Sequence, residues 1–585
     1  MSSTVTAGAG PLLRVRTLLG VEVPMRDGVT LSTDVYLPDG PGPFPVILIR
    51  TPYSNNVEYL VEDGVYFAQR GYAVAIQDVR GRFDSAGAWD PFVHEAQDGY
   101  DAQEWCGTQP WSTGKVGTSG ASYLALTQWL AAPLRNRHLA AMAPRVGFSN
   151  LYHNWVYTGG AFQLGFNLRW GAIQMNTRTN QTQYLWMPPE QHYSTLFGHL
   201  PLLTGDERAG RVCEFYREWI RHPDYGPYWE RRGNVEKDYQ RIDVPAYGFG
   251  GWYDVFLQGT LNNFMGVRAQ GVSERARRGQ KVLIGPWIHS LGERGTQSRT
   301  GDIDFGPECL VDLRREELRW FDYWLRGVDD GIMSEPPVKV FVMSANRWRT
   351  ATDWPIPGTR FVPYYLHSAG HASTLWGDGT LDRQAPAGEP PDRYVYDPAD
   401  PVPTLGGSTC CGEDVTPISM GPRDQRPAEW RADILVYSTP PLEADVEVTG
   451  PIKVVLWAAS SAPDTDFTAK LVDVAPSGYA MNVAQGILRA RYRESFGRPS
   501  PLEPGRAYRL EIDCWSSSNL FRRGHLIRVE IASSNFPQFD RNPNTGRPFG
   551  TDAEHVRATQ TVYHDAQHPS HLVLPVVGSD FDVNV

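Results

Sequence analysis

A serine stands at the tip of a short turn, Gly120-Ala121-Ser122-Tyr123-Leu124. A strand-like run, Lys115-Val116-Gly117, precedes it, and an apolar, helix-like run from Tyr123 to Ala132 follows. A hydroxyl at such a junction has two uses. It can cap the helix by accepting a backbone N–H bond. It can also act as the nucleophile of an elbow, where the free N–H groups and positive dipole end of the helix favour the oxygen anion of a tetrahedral intermediate. Gly120 relieves crowding at the bend. Leu124 occupies the place where the usual elbow has a second glycine, so the turn alone does not decide between the two uses.

A serine nucleophile needs a base, and the base needs an orienting carboxylate. Asp254 ends Gly250-Gly251-Trp252-Tyr253-Asp254 after one strand-like run, and His289 ends Gly285-Pro286-Trp287-Ile288-His289 after the next. Taken singly, Asp254 reads equally well as a helix cap before Val255 and Phe256, and His289 as a structural loop histidine among the 14 of the chain. Taken together, serine, acid and histidine come in the chain order of α/β-hydrolases, each just past a strand. Three such coincidences in one topology favour catalysis.

The elements that must hold these residues are legible as alternating strands and helices. Val21 to Leu37 alternates around Arg26-Asp27-Gly28 as a β-hairpin. Pro45 to Ile49 and Tyr72 to Ile76 read as buried strands. A helix follows at about Asp98 to Thr108, then the elbow, then a strand near Leu139 to Pro144. Continuous apolar strands separated by helices predict a parallel sheet covered on both faces. Ligands of such a sheet sit at the C-terminal strand ends, where Thr51-Pro52-Tyr53, Ser122 and Asp254 fall. From Phe148 to Gln240 the alternation stops and aromatics stand among polar residues, as in an inserted helical cap. Strand character returns at Val244 to Gly248 and Val282 to Ile284, with helices at Phe256 to Ala269 and Leu310 to Arg326. Past Trp354 short strands with Gly, Pro and Asp turns predict a β-sandwich or jelly roll. The expected divisions are 1–147 and 241–354 for the two parts of the α/β domain, 148–240 for the cap, and 355–585 for the β domain.

Composition narrows the function classes. Lys and Arg total 55 against 66 Asp and Glu, a net charge of −11. That balance offers no basic face for nucleic acid or an anionic membrane. No apolar run approaches the length of a membrane span, and Met1 to Gly20 does not read as a signal peptide. The six cysteines fit no zinc or redox spacing, so no metal or cofactor is expected, and reduced thiols in a cytoplasmic protein are. Cys410 and Cys411 are adjacent in a Gly/Ser loop and receive no role. Asp78, Arg80, Arg82 and Asp84 form a charged strand-end cluster that reads as a structural ion-pair network.

Gly-Ala-Ser-Tyr-Leu at 120–124, Gly-Trp-Tyr-Asp at 251–254 and Gly-Pro-Trp-Ile-His at 285–289 resemble the cocaine esterase-like (CocE/NonD) hydrolases, relatives of the X-prolyl dipeptidyl-peptidases and α-amino-acid ester hydrolases. Arg50-Thr51-Pro52-Tyr53, Gln77 to Gly81, Ala532 to Pro537 and Asp540 to Asn544 extend the resemblance through nearly the whole chain. Leu124 is usual in that family; Ala125 departs from its glycine. The resemblance implies an α/β-hydrolase domain, an inserted helical cap and a C-terminal jelly roll. It implies Ser122 as nucleophile, His289 as base, Asp254 as its partner, and an oxyanion hole from the Tyr123 backbone N–H and the Tyr53 hydroxyl. Trp155, Phe162, Phe166 and Trp170 are the cap candidates for a substrate pocket.

The leading expectation is a serine carboxylesterase for small or medium esters with apolar acyl groups. The alternative is an X-prolyl dipeptidyl-peptidase or α-amino-acid ester hydrolase using the same triad. An amino substrate needs carboxylates beside the nucleophile, and Val255-Phe256-Leu257 supplies none after Asp254, although Asp206, Glu207 or Glu214 of the cap stand as substitutes. A non-catalytic glycan-binding protein is a third reading, opposed by the complete triad. Oligomeric state is not legible.

Overall fold

The computed structural model describes residues 11–181, 191, 196–291, 295–410 and 418–578. Ten strands build the first sheet. They are β1 (Val15–Pro24), β2 (Thr30–Pro38), β3 (Phe44–Thr51), β4 (Ala73–Asp78), β5 (Ser112–Ala121), β6 (Leu139–Arg145), β7 (Ala246–Tyr253), β8 (Gln280–Ile288), β9 (Val338–Val342) and β10 (Arg347–Ala351). Their order across the sheet is β1-β2-β4-β3-β5-β6-β7-β8-β9-β10. From β4 to β9 every pair is parallel; the hairpin β1–β2, the pair β2–β4 and the pair β9–β10 are antiparallel.

Parallel pairing demands crossover helices, and these cover both faces. Val46 and Leu48 point to the side where Ala102 and Cys106 of helix α2 (Glu95–Thr108) pack. Ile47 and Ile49 point to the opposite side, with Leu60 and Phe67 of helix α1 (Glu58–Ala68). The two-residue period of the strand thus feeds two cores at once. Helix α1 was not legible because Gly64 interrupts its apolar spacing. A Cβ at Gly64 would lie 2.8 Å from the Tyr36 ring, so the close approach of helix to sheet requires glycine there. Helix α3 (Tyr123–Ala131) follows β5, α4 (Leu257–Gln270) follows β7, and α5 (Leu313–Phe321) packs beneath β6. The pair β9–β10 extends the sheet beyond the strands expected.

Between β6 and β7 the described residues form helical pieces of three to eight residues, such as Asn167–Gln174 and Glu214–Arg221, and a short hairpin, Tyr157–Thr158 with Ala161–Phe162. Beyond β10 the strands form a second, almost wholly antiparallel assembly from Arg360 to Val576. Its longest strand, Val446–Ser460, pairs with Tyr508–Phe521. The core of this unit runs on into α4 and β7, where Leu257, Leu261 and Tyr253 meet Ile452, Ile512 and Leu488. No described helix is long and apolar enough to cross a membrane.

One expectation is corrected, that all the thiols are reduced. Cys410 is disulfide-bonded, while Cys106, Cys213, Cys309 and Cys514 are buried free thiols; Cys411 lies outside the described residues. The charged residues at the end of β4 do not pair with one another. Arg80 is held by Asp98 (2.6 Å) and Asp27 (2.8 Å). Arg82 turns to the backbone of Pro52, and Asp84 is exposed. The turn after β4 sends successive side chains to different elements, which a linear reading cannot show.

Candidate active site

Ser122 follows β5 with φ 61° and ψ −124°, a conformation that costs a non-glycine residue energy. Its side chain makes no capping bond to helix α3. The capping reading therefore does not describe it. Its N–H donates to the Arg145 carbonyl at 2.9 Å, and its own carbonyl accepts from Ala125 N–H at 2.9 Å to start the helix. Gly120 has φ 134°, and a Cβ there would lie 2.5 Å from the Leu124 Cβ. Leu124 folds back over the turn, so the glycine that matters is the one before the serine.

Buried charges fix the turn from below. The Arg145 guanidinium lies 3.0 Å from Glu317 Oε1 and 3.6 Å from Asp63 Oδ2, all three groups being almost fully buried. Ser119 Oγ donates to Glu317 Oε2 at 2.9 Å. Burial pushes the Glu317 carboxyl up to about 7, and the Arg145 charge opposes that rise. On the other side, Tyr123 Oη donates to Glu95 Oε1 (2.7 Å) and accepts the Phe92 N–H (3.1 Å), while Arg50 donates to Glu95 Oε2 (2.6 Å). The Tyr123 side chain is thereby anchored in the core. Its backbone N–H, at the first residue of α3, is one of the donors a helix start leaves without an intrahelical partner.

Asp254 follows β7 and His289 follows β8, adjacent parallel strands. Asp254 Oδ1 and His289 Nδ1 are 2.7 Å apart, with Asp254 fully buried and His289 slightly exposed. Helix α4 starts only at Leu257, so Asp254 is not its cap. Tyr53 follows β3. Its Oη accepts from Trp170 Nε1 at 3.1 Å. Burial raises the Tyr53 pKa, and the Trp170 and Ser122 side chains and the nearby Arg82 and Arg169 charges oppose the rise.

Arg82 was read only as part of a charge network, yet it positions Tyr53. Its Nε donates to the Pro52 carbonyl at 2.9 Å, and it binds Asn180, whose Nδ2 donates to the Tyr53 carbonyl at 3.3 Å. Burial pulls the Arg82 pKa down to about 10. The signal in the sequence was one arginine of a charged strand-end turn, which does not announce its partners.

Of the four cap aromatics, three converge. Trp155 stacks on Phe166 (4.8 Å between centroids), meets Trp170 edge-on (4.8 Å) and meets Phe256 (4.9 Å). Phe256 in turn lies 5.2 Å from the His289 ring, and Trp170 stacks over Tyr123 at 6.2 Å. Phe162 sits elsewhere, with Tyr157, Tyr216 and Phe549. Phe256, Phe148 and Phe92 complete the cluster and were missed, because their neighbours in sequence give no sign of the fold-back.

Residues 27–291 match the model of the X-Pro dipeptidyl-peptidase (S15 family), and residues 330–573 match the X-Pro dipeptidyl-peptidase C-terminal non-catalytic domain. A cocaine esterase of Rhodococcus sp. (strain MB1 Bresler) is 37% identical over 95% of this chain and 98% of its own. The chain belongs to the cocaine esterase-like hydrolase family. Among solved structures, this family member resembles an aminopeptidase from the marine sediment archaeon Thaumarchaeota archaeon, with TM-score 0.85, 26% identity and 97% of each chain covered. An α-amino-acid ester hydrolase follows with TM-score 0.82, 26% identity and 98% of each chain covered.

Proposed function

We propose that this protein is a serine carboxylesterase in which Ser122 is the nucleophile, His289 the general base and Asp254 the group that orients it. The carrying observation is a serine in a strained backbone conformation without a capping bond, set in the same row of strand ends as a buried Asp–His pair at 2.7 Å. With Nδ1 engaged by Asp254, Nε2 is the nitrogen available to take the Ser122 proton. Ser122 Oγ attacks the ester carbonyl, and the negative oxygen is met by the Tyr123 N–H and the Tyr53 O–H. The proton on His289 passes to the departing alcohol, and the acyl-enzyme is then cleaved by water by the same route in reverse. Trp170 fills an acceptor position on Tyr53 Oη, so the phenolic proton turns away from Trp170 and toward the serine side. The proposed architecture sets residues 148–240 as a cap over this centre and 355–585 as a jelly roll.

Phe166 and Trp170, backed by the fully buried Trp155, form the proposed acyl wall, and an apolar acyl group gains roughly 25 cal/mol per Å² of their surface that it covers. A serine-directed fluorophosphonate is expected to label Ser122 alone, and Ser122→Ala to lose turnover while melting at the wild-type temperature. Full activity in that variant removes the proposal.

A second reading, cleavage of substrates with a free amino group, is favoured by the named activities of the two structural relatives. The carboxylates that would hold an ammonium are committed elsewhere. Asp206 and Glu207 both bind Arg217 at 2.7 Å, and Glu214 binds Arg221 at 2.8 Å. Val255, Phe256 and Leu257 are buried and apolar. Neutral benzoyl or short-chain acyl esters are therefore expected to be cleaved far faster than unblocked aminoacyl esters or prolyl anilides. The reverse ranking in kcat/KM would install the second reading.

A further inference from the structure

The β domain holds a line of five titratable side chains that the proposed reaction does not use. His367 closes the strand Arg360–His367. Its Nδ1 lies 2.7 Å from Glu389 Oε1, and its Nε2 lies 3.2 Å from Asp382 Oδ1 and 3.1 Å from the Gln384 carbonyl. His564 follows the strand Ala558–Tyr563. Its Nδ1 lies 3.2 Å from the other oxygen of the same Glu389, and its Nε2 lies 2.9 Å from Asp392 Oδ2. Acid and histidine thus alternate in the order Asp382, His367, Glu389, His564, Asp392, with Glu389 shared by both rings.

The bonds at Asp392 fix the state of its neighbour. Asp392 Oδ1 accepts the Ala372 N–H at 2.8 Å, and Oδ2 accepts the Ser368 and Tyr437 hydroxyls, each at 2.7 Å. Burial works against a charge on Asp392, but the bonds from His564, Ala372, Ser368 and Tyr437 outweigh it and its pKa is lowered. An ionised carboxylate only accepts, so His564 Nε2 must hold a proton toward it. Nδ1 faces Glu389, whose Oε2 also accepts the Ser368 N–H at 3.3 Å. A ring with both nitrogens on accepting oxygens is an imidazolium. Burial alone would lower the His564 pKa, yet Asp392 and Glu389 raise it. A further carboxylate, Asp378, accepts the Ala369 N–H at 3.0 Å and adds negative charge on the Tyr437 side. No Lys or Arg forms an ion pair with Asp382, Glu389 or Asp392 among the described residues, so the rings supply the positive charge there. The line is not a metal cage, since no group of three or more His, Cys, Asp or Glu suited to one occurs among the described residues.

The shared glutamate belongs to the connection 383–391, between the strands Thr380–Asp382 and Asp392–Tyr396. Most of that connection is exposed. Glu389 ties it to both rings, and its Ala387 carbonyl accepts the Ala566 N–H at 2.7 Å. His564 and Asp392 are buried, whereas the Glu389 side chain is one-quarter exposed. When the ring loses its proton, one nitrogen turns a lone pair to a carboxylate, and two carboxylates are left facing each other across a neutral ring. Glu389 is the partner with a path to water. We propose that this line is a proton-operated latch, which holds the connection 383–391 against the β domain while His564 is protonated and releases it when the proton leaves. Because the His564 pKa is raised on folding, the stability it contributes is complete below its unfolded value of about 6.5 and is lost as pH rises through the folded value.

The test uses the full-length protein labelled with 15N-histidine, and reads ring-nitrogen shifts and amide hydrogen exchange over one pH series. The His564 signal is the one missing from His564→Gln; should that variant not fold, it is the signal that survives in His367→Asn and moves in Glu389→Gln. Both nitrogens of His564 are expected to be protonated at neutral pH. The Ser368 and Ala566 N–H groups, corrected for intrinsic exchange, are expected to lose protection in the same pH range in which His564 loses its proton. Glu389→Gln, an isosteric change at a part-exposed position whose folding a melting curve checks, should lower the His564 transition by roughly one pH unit, the scale for one lost neighbouring charge, and leave both amides unprotected at every pH. A His564 ring with one protonated nitrogen at neutral pH overturns the proposal. So does amide protection that stays constant through the His564 transition.

Discussion

The two sides of the proposed catalytic centre are built by different means. On the hydrolase side, the Ser122 turn and the Tyr53 loop are tied by directional bonds. Arg145 joins Glu317 and Asp63, Arg50 joins Glu95 and through it Tyr123, and Arg82 holds Pro52. On the facing side, Trp155, Phe166, Trp170 and Phe256 hold one another by ring contacts alone, with a single polar link from Trp170 to Tyr53. Atoms that stabilise a developing charge must be placed to within tenths of an ångström, and buried polar networks fix direction as well as distance. A surface that only covers an acyl group needs shape and area. Ring packing supplies both and tolerates exchange. The contrast predicts that changes on the polar side act on turnover and changes on the aromatic side act on binding.

The largest effect that sharpens this contrast is at Tyr53. Removing one oxyanion donor costs roughly a hundred- to a thousandfold in kcat. Tyr53→Phe is expected to show that loss with little change in KM, because the charge it meets exists only in the transition state. Trp170→Phe keeps the ring and removes the N–H that orients the phenol. It should lower kcat by about tenfold, the scale for one net hydrogen bond, and should add nothing to the loss in the Tyr53→Phe background. Full additivity of the two changes in steady-state kinetics would show that Trp170 does not act through Tyr53.

How far the sequence reached follows the same division. Strands β3, β4, β6, β7 and β8 were legible because each is a continuous apolar run that a doubly covered sheet requires. The strand-end places of Asp254 and His289 were legible because each follows such a run, and that of Ser122 because of the strand–turn–helix pattern around Gly120. Helix α1 was not, since Gly64 serves a contact with Tyr36 that is remote in sequence. Arg82 and Phe256 were not, for the same reason. Their roles lie in what the fold brings to them, a Pro52 carbonyl and the edge of His289, and no local pattern encodes that. Phe162 shows the converse. It shares composition and neighbourhood with Phe166, yet the hairpin at 157–162 turns it toward Phe549 of the β domain.

That divergence yields a smaller and cleaner test of the aromatic side. Phe166→Leu should raise KM for a benzoyl ester by about three- to tenfold, the worth of one aromatic contact, with kcat nearly unchanged. Phe162→Leu should lower the melting temperature and leave KM alone. Equal KM effects from the two would mean that the acyl wall extends to the Phe162 group.

The last test concerns Asp78, a carboxylate of the polar side that makes no ion pair among the described residues. Asp78 ends β4 and is fully buried. Burial pushes its carboxyl up to about 7, partly offset by the backbone N–H groups of Asn55 and Asp84. A carboxyl whose pKa is higher in the folded than in the unfolded chain binds protons more tightly when folded. Its contribution to stability is therefore complete below about pH 4 and is lost as pH rises through about 7. Asp78→Asn fixes the neutral form and keeps the size of the side chain. Above pH 7 the variant should be more stable than the wild type by on the order of 1–4 kcal/mol, read as a melting temperature several degrees higher. The two curves should converge as the pH falls toward 4. If the wild type melts higher at pH 8, the charged form is the one the strand end is built to hold, and the polar side of the centre uses Asp78 as an anion after all.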